Sequence, residues 1–168
     1  MQEFFSDVEI VKNAIASIKD ATRKISDINQ NVVQATTIES EQNQSSELEP
    51  IIKSTNKKAT LAKQLLQKLK EETDKNKAQN GQKSPEVRIR ENMVSTLTRK
   101  FIDVMKEYQN SQTKFKTDIK KKVKRQVQIV KPDATTEEID AVFKSGAGSG
   151  EFVKTAILTV SYFCSFAY

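Results

Sequence analysis

The sequence is poor in the residue types that build catalytic and metal sites. It has no histidine, which removes the commonest general base and metal ligand. Its single cysteine, Cys164, excludes a disulfide or a thiolate metal cluster within the chain. No paired carboxylates, nucleophile–base set or metal-ligand spacing is visible. We therefore predict a protein that is not an enzyme and that uses no cofactor, metal ion or small-molecule substrate.

Glycine and proline are also scarce, with four and three copies in 168 residues. Aromatic residues make up 7% of the chain and charged residues 30%. This composition favours long, exposed helices in a thin bundle over a compact α/β core.

Neither end of the chain has the pattern of a membrane-crossing segment. The N-terminal sequence MQEFFSDVEIVKN carries acidic residues where a signal peptide is basic, so we expect a cytosolic or peripheral protein. The tail is uncharged from Thr155 to Ala167, but a helix needs about 20 apolar residues to cross a bilayer. Cys164 in this tail is either an ordinary apolar cysteine or a lipidation site.

Three long segments carry apolar residues at helical spacing, which predicts three helices at about 3–34, 47–77 and 86–130. The first stripe contains Val8, Val11, Ile15, Ile18, Ile25 and Val32; the second Leu48, Ile52, Ala59, Ala62, Leu66 and Leu69; the third Val94, Leu97, Phe101, Val104, Tyr108, Phe115, Ile119, Val123 and Val127. We interpret the stripes as one shared core and predict an all-α domain over residues 1–131.

Capping and turn residues predict the connections between the helices. The polar stretch 35–46 is predicted to be a loop, with Ser46-x-x-Glu49 as a capping box for the second helix, although Pro50 is an alternative start. Asn80-Gly81 marks a turn before Ser84, the predicted cap of the third helix. Residues 132–150 are predicted to be a linker with a short helix beginning at the Thr135-x-x-Glu138 box. Residues 151–168 form the apolar tail.

The third helix carries a second, weaker stripe of mixed apolar and amide residues. After Thr98 it contains Ile102, Met105, Gln109 and Gln112. A flank of this kind beside a closed core is typical of a groove for a further helix, so these four residues are the candidate partner groove. The alternative is a wider core face.

The third helix also ends in a dense basic run. Eight Lys or Arg residues face one acid, Asp118, between Lys114 and Lys131. Within that run the candidate anionic-lipid face consists of Lys120, Lys121, Lys122, Lys124 and Arg125. The alternative is a solvated helix face. Nucleic-acid binding is not predicted, because no aromatic residues alternate with the basic ones.

The third segment resembles the third helix of the N-terminal regulatory domain of syntaxins of the plasma-membrane type. The most specific piece is Arg88-Ile89-Arg90 followed by STLTRKFIDVMKEYQNSQ, from Ser95 to Gln112. The opening EFFSDVEIVKNAI resembles the first helix of that domain, and ATTEEIDAVFKSG resembles the linker that follows it. The similarity covers residues 3–145 and extends towards residue 157. It implies an antiparallel, up-down three-helix bundle.

The resemblance also implies a function. It predicts the regulatory domain of a target-membrane SNARE protein that acts in vesicle docking, membrane fusion and exocytosis. The expected partners are SNARE-motif helices, bound on helices two and three, and an SM-family regulator. The expected place is the cytoplasmic face of the plasma membrane or an endomembrane. The alternative is a stand-alone helical scaffold or basic membrane-surface module.

The sequence departs from the family pattern near its ends. We expect it to lack the SNARE motif and membrane anchor that follow the bundle in syntaxins, and the short SM-binding peptide that often precedes the bundle. From about Thr159 the tail TVSYFCSFAY has neither charge nor heptad, so we expect it to be truncated or aberrant.

Overall fold

The computed structural model describes residues 2–80 and 84–145, and all of its regular elements there are helices. They are α1 (Gln2–Gln34), α2 (Ile38–Ser46), α3 (Leu48–Asn80), α4 (Pro85–Val130) and α5 (Thr136–Ser145). The all-α fold is confirmed, with α1, α3 and α4 as an antiparallel three-helix bundle. The predicted turn at Gly81, the glycine-rich stretch from residue 146 and the apolar tail lie outside the described residues.

Three helix boundaries lie where the capping residues or a proline in the sequence predict them. α4 begins at Pro85, and the carbonyl of Ser84 accepts the backbone N–H of Arg88 at 3.2 Å. α4 ends at Val130, before the Lys131–Pro132 pair, since a residue preceding proline is disfavoured in the α region. The capping box of α5 is formed as predicted, because Thr135 Oγ1 accepts from the Glu138 N–H and Glu138 Oε2 accepts from the Thr135 N–H.

The prediction of a loop over 35–46 was wrong. Residues 38–46 form α2, whose N-cap Thr37 accepts a hydrogen bond from the Ser40 N–H through its side chain. The predicted capping box at Ser46 was also wrong, since the Ser46 hydroxyl donates to the Asn43 carbonyl in the last turn of α2. Pro50 lies third in α3, where its missing N–H breaks no helical hydrogen bond.

The described chain divides into two compact units, and α1, α3 and α4 contribute segments to both. The first unit comprises Met1–Ala21 and Lys53–Tyr108. One cluster of its core combines buried residues from the three helices: Phe4, Val8, Val11, Leu66, Leu69, Val94 and Leu97. Phe101 is only partly buried against this cluster. The small residues Ala59 and Ala62 are fully buried on α3, as close helix packing requires.

Polar contacts reinforce the first unit at its edges. Lys68 of α3 lies 2.9 Å from Asp7 and 3.2 Å from Glu3, both on α1. The hydrogen bond to Asp7, followed by the one to Glu3, raises the pKa of Lys68. Lys77 of α3 lies 2.8 Å from Glu91 of α4, and this hydrogen bond raises the pKa of Lys77. Both lysines therefore stay charged at neutral pH and connect α3 to its two neighbours.

The second unit comprises Thr22–Ile52 and Gln109–Tyr168. Its buried apolar residues come from α1, α3, α4 and α5, and they are Ile25, Ile28, Val32, Leu48, Ile52, Phe115, Ile119, Val123 and Ile139. Two ion pairs also involve α5: Lys120 of α4 lies 2.8 Å from Asp140, and Lys131, the residue after α4, lies 2.6 Å from Glu138.

Candidate functional site

The four residues of the candidate partner groove differ in exposure, although all lie on α4. Ile102 is 46% exposed in the first unit, and Gln109 is half-buried in the second. Met105 and Gln112 are buried, with 8% and 7% of their surface exposed. A partner cannot contact these two side chains without repacking the domain. Their inclusion was therefore wrong, and for them the alternative of a wider core face holds.

Helical spacing explains why Met105 and Gln112 are buried. Tyr108 and Phe115 are buried core residues, and each follows Met105 or Gln112 by three positions. Residues three and four apart share one side of a helix, so both side chains lie on the edge of the core stripe. Ile102 remains as the large apolar side chain of the predicted groove that a partner can reach.

The basic run on α4 also divides into exposed and buried members. Lys120, Lys121, Lys124 and Arg125 are exposed, and Lys120 binds Asp140. Lys121 lies 4.0 Å from Asp118, and 72% of its side chain is exposed.

Lys122 does not belong to that exposed face, and its assignment to the lipid face was wrong. Its Nζ donates to the Val32 carbonyl at 2.6 Å and to the Ala35 carbonyl at 3.1 Å, and lies 2.7 Å from Glu41 Oε2. The Lys122 and Glu41 residues are only 5% and 3% exposed. The lysine thus satisfies carbonyls at the C-terminal end of α1, which have no partner within the helix, and pairs with a carboxylate of α2.

A second polar contact in this unit joins α1 to α4. Asn29 is 5% exposed, and its side-chain amide donates to Asp118 Oδ2 at 2.9 Å. The single acid in the basic run is therefore held by a buried amide and by Lys121. Asn29 occupies a position of the apolar stripe between Ile25 and Val32, and a polar residue at such a position is the sequence signal for a buried polar contact.

No group of three or more metal-ligating side chains occurs in residues 2–80 and 84–145. None of the helices described there has the length and apolar character needed to cross a membrane.

The described helices form an all-α bundle, and comparison with known proteins identifies the family. The family model described as Syntaxin matches residues 1–157, so the chain belongs to the syntaxin family. Syntaxins are SNARE proteins of vesicle-mediated transport and membrane fusion, not enzymes.

The fold is also similar to that of a solved structure. A chain in the crystal structure of the Unc18–syntaxin 1 complex from Monosiga brevicollis matches with a TM-score of 0.84 at 20% sequence identity. The match covers 99% of this chain and 79% of that one. At this identity the likeness establishes the three-helix fold, and it agrees with the family assignment.

Proposed function

We propose that this chain is the regulatory, non-catalytic interaction domain of a syntaxin, which controls docking and fusion by binding a SNARE-motif helix and an SM-family protein. The observation that carries the proposal is the Syntaxin family match across residues 1–157, on a chain that folds as a helical bundle. The bundle leaves an isoleucine exposed on α4, and a partner helix can cover such a side chain.

The SNARE-motif contact is proposed for the face of α4 that contains Ile102. With 46% of its surface exposed, this residue contributes apolar area that is still available for burial. Neighbouring α4 positions Asp103 and Lys106 are exposed and charged, which would surround the apolar contact with a polar rim. The affinity between separate chains should be modest, because an intramolecular contact gains from a high effective concentration.

The support for the proposed SM-protein contact comes from a relative. In the Monosiga brevicollis structure a syntaxin 1 of this fold is in complex with Unc18. We extend that partner class to this chain because both the family and the fold are shared. For the complete protein, the proposed location is the cytoplasmic face of the plasma membrane or of an endomembrane, where such regulators act.

A second candidate function is binding to an anionic membrane surface. Lys121, Lys124 and Arg125 are exposed on one segment of α4, and Lys120 is exposed beside them. Cations grouped in this way attract anionic lipid headgroups. This candidate needs no partner protein.

Salt dependence distinguishes the two functions. The chain is titrated with the SNARE motif of a syntaxin, with an SM-family protein of the same organism, and with anionic vesicles, each at low and high ionic strength. Because screening shortens to about 8 Å near 0.15 M salt, vesicle binding through exposed lysines should collapse. Apolar helix binding should persist. Vesicle binding alone, with no binding of either protein, would replace the regulatory proposal with the membrane-surface function.

A further inference from the structure

An open groove of about 460 Å³ lies between α1 and α4 within the first unit. Val8 and Leu97 are buried at its base, whereas Ile15 and Met93 are half-buried. Its edges consist of exposed side chains from the same two helices: Lys12, Ala16, Asn92, Thr96 and Lys100. None of the predicted partner-groove residues on α4 lines it, so it is a separate surface.

The dimensions of the groove suit one partner helix. Its lining runs from Val8 to Ala16 on α1 and from Asn92 to Lys100 on α4, which is about 12 Å along each helix. Phe5 and Ile89 are 41% and 48% exposed and continue the lining stripes by one turn at helical spacing. The apolar strip is therefore about 17 Å long, or three turns of a helix.

The charges around the groove are unequally distributed. Both charged residues that line it, Lys12 and Lys100, are lysines. Lys100 makes no ion pair within the described part of the chain, and Lys12 has a 3.4 Å contact with Glu9 in which both side chains are more than half exposed. Such an exposed pair is weak and easily exchanged for another carboxylate.

Apart from Glu9, three carboxylates near this end of α1 and α4 are directed to α3. Glu3 and Asp7 both bind Lys68, and Glu91 binds Lys77. Their negative charge is thus compensated on another side of each helix. The groove keeps an apolar base and cationic edges.

We propose that the groove between α1 and α4 is a docking site for an acidic amphipathic helix of a partner protein. Aliphatic side chains of that helix pack on Val8, Met93 and Leu97, and carboxylates on its flanks pair with Lys12 and Lys100. A helix of about 10 Å diameter can enter a concave groove, whereas a flat bilayer surface cannot reach its base. This inference goes beyond the proposed SNARE-motif contact, because the groove does not include the face of α4 that contains Ile102.

The test uses the full 168-residue chain and a fluorescent helical peptide of about 14 residues, with leucine on one face and glutamate on its flanks. Fluorescence anisotropy measures its dissociation constant. Lys12→Glu with Lys100→Glu reverses both groove charges, and Lys58→Glu with Lys70→Glu is the matched control, since those exposed lysines lie on α3. Ala16→Trp fills the groove without changing charge. Circular dichroism verifies that each variant is folded.

The proposal predicts saturable binding that the groove charge reversal weakens by about tenfold or more, while the α3 control changes it by less than about twofold. Ala16→Trp weakens binding to a similar extent, and a peptide with lysine in place of glutamate binds poorly. Absence of binding at high micromolar peptide overturns the proposal, as does equal weakening by both double variants or indifference to Ala16→Trp. Vesicle flotation that depends on Lys12 and Lys100, without peptide binding, overturns it in favour of a lipid surface.

Discussion

The side-chain nitrogen of Lys122 lies 2.7 Å from a carboxylate oxygen of Glu41, and both side chains are almost completely buried. The two residues are separated by 81 positions in the sequence. The same nitrogen also donates to the carbonyls of Val32 and Ala35. One lysine in α4 thus holds the end of α1 and the short helix α2 in place.

Because of this contact, replacing Lys122 alone should greatly reduce the free energy of unfolding. Lys122→Met leaves the Glu41 charge buried without a cation, and loss of one partner of a buried pair costs about 3–5 kcal/mol. Urea unfolding of Lys122→Met and of Lys121→Met measures the difference. Lys121 is 72% exposed, so its replacement should change the free energy of unfolding by no more than about 0.5 kcal/mol. Equal stabilities of the two variants would show that the buried pair does not stabilise the domain.

The double variant Lys122→Met with Glu41→Met refines this prediction. Because it removes the carboxylate together with the lysine, it should recover part of the lost free energy. Full recovery is not expected, since the Val32 and Ala35 carbonyls still lose a donor.

Two Leu→Ala substitutions on α3 should reduce the free energy of unfolding by different amounts, because the two leucines differ in burial. Leu69 is fully buried in the core of the first unit, whereas Leu61 is 48% exposed. Leu69→Ala should reduce the free energy of unfolding by about 2–5 kcal/mol, because it loses apolar burial and leaves a cavity. Leu61→Ala should cost less than about 1 kcal/mol. Chemical denaturation of both variants measures this, and a larger loss for Leu61→Ala would contradict the assigned core.

A hydrogen bond from Tyr108 of α4 to Asn56 of α3 should stabilise the first unit. The Tyr108 ring is fully buried, and its hydroxyl donates to Asn56 Oδ1 at 3.0 Å. Tyr108→Phe should cost about 1 kcal/mol, the usual contribution of one such hydrogen bond. A double-mutant cycle with Asn56→Ala tests the pairing, since the Tyr108→Phe effect should shrink when Asn56 is absent. An undiminished effect would assign the loss to another contact of the tyrosine.

The helix α5 should become less stable in acid. The hydrogen bond from Lys131, followed by the one from the Thr135 backbone, lowers the pKa of Glu138 below its ordinary value of 4.5. Its contribution to stability is therefore present above that value and is lost as the pH falls through the lowered pKa. NMR chemical shifts of residues 136–145 should report reduced helicity in this acidic range.

Two glutamine variants of α5 provide the control for this pH dependence. Glu138→Gln should remove most of the acid response of the helix, whereas Glu137→Gln should retain it, because Glu137 is exposed and has no part in the capping box. An acid response that is identical in both variants would mean that another group controls the helicity of α5.

The sequence was sufficient to predict the three long helices, because each is specified by its own local pattern. Apolar residues at steps of three and four continue for many turns, and capping residues or proline mark the ends. Val8, Leu69 and Tyr108 are buried where these stripes placed them. The family resemblance supplied the antiparallel arrangement, which the patterns alone did not determine.

The missed features depend on contacts between distant segments. α2 has a polar sequence without an apolar stripe, so no periodicity distinguished it from a loop. Its visible signals were Thr37 as a cap and the acids Glu39 and Glu41 in the first turn. What fixes Glu41 in the interior is Lys122, and a sequence does not show which residues pair over that distance.

Lys122 and Met105 were misassigned for a related reason. Lys122 belongs to a basic run, and such runs are usually solvated. Lys122 also lies three positions after the buried Ile119, and Met105 lies three positions before the buried Tyr108. Residues three apart share one side of a helix, so both side chains lie on the edge of the core. This three-residue spacing was the sequence signal for burial. We gave more weight to the composition of the surrounding segment, which favoured an exposed assignment.

The most direct test of the regulatory function is calorimetric titration of the chain with the SNARE motif of a syntaxin from the same organism. The proposal predicts saturable binding of micromolar strength, weakened about tenfold or more by Ile102→Asp, because the charge would enter the apolar contact. Ile10→Asp is the matched control, since Ile10 is 42% exposed on α1, and it should leave the affinity within about twofold. Absence of binding at high micromolar concentration, or equal weakening by both variants, would contradict the proposal.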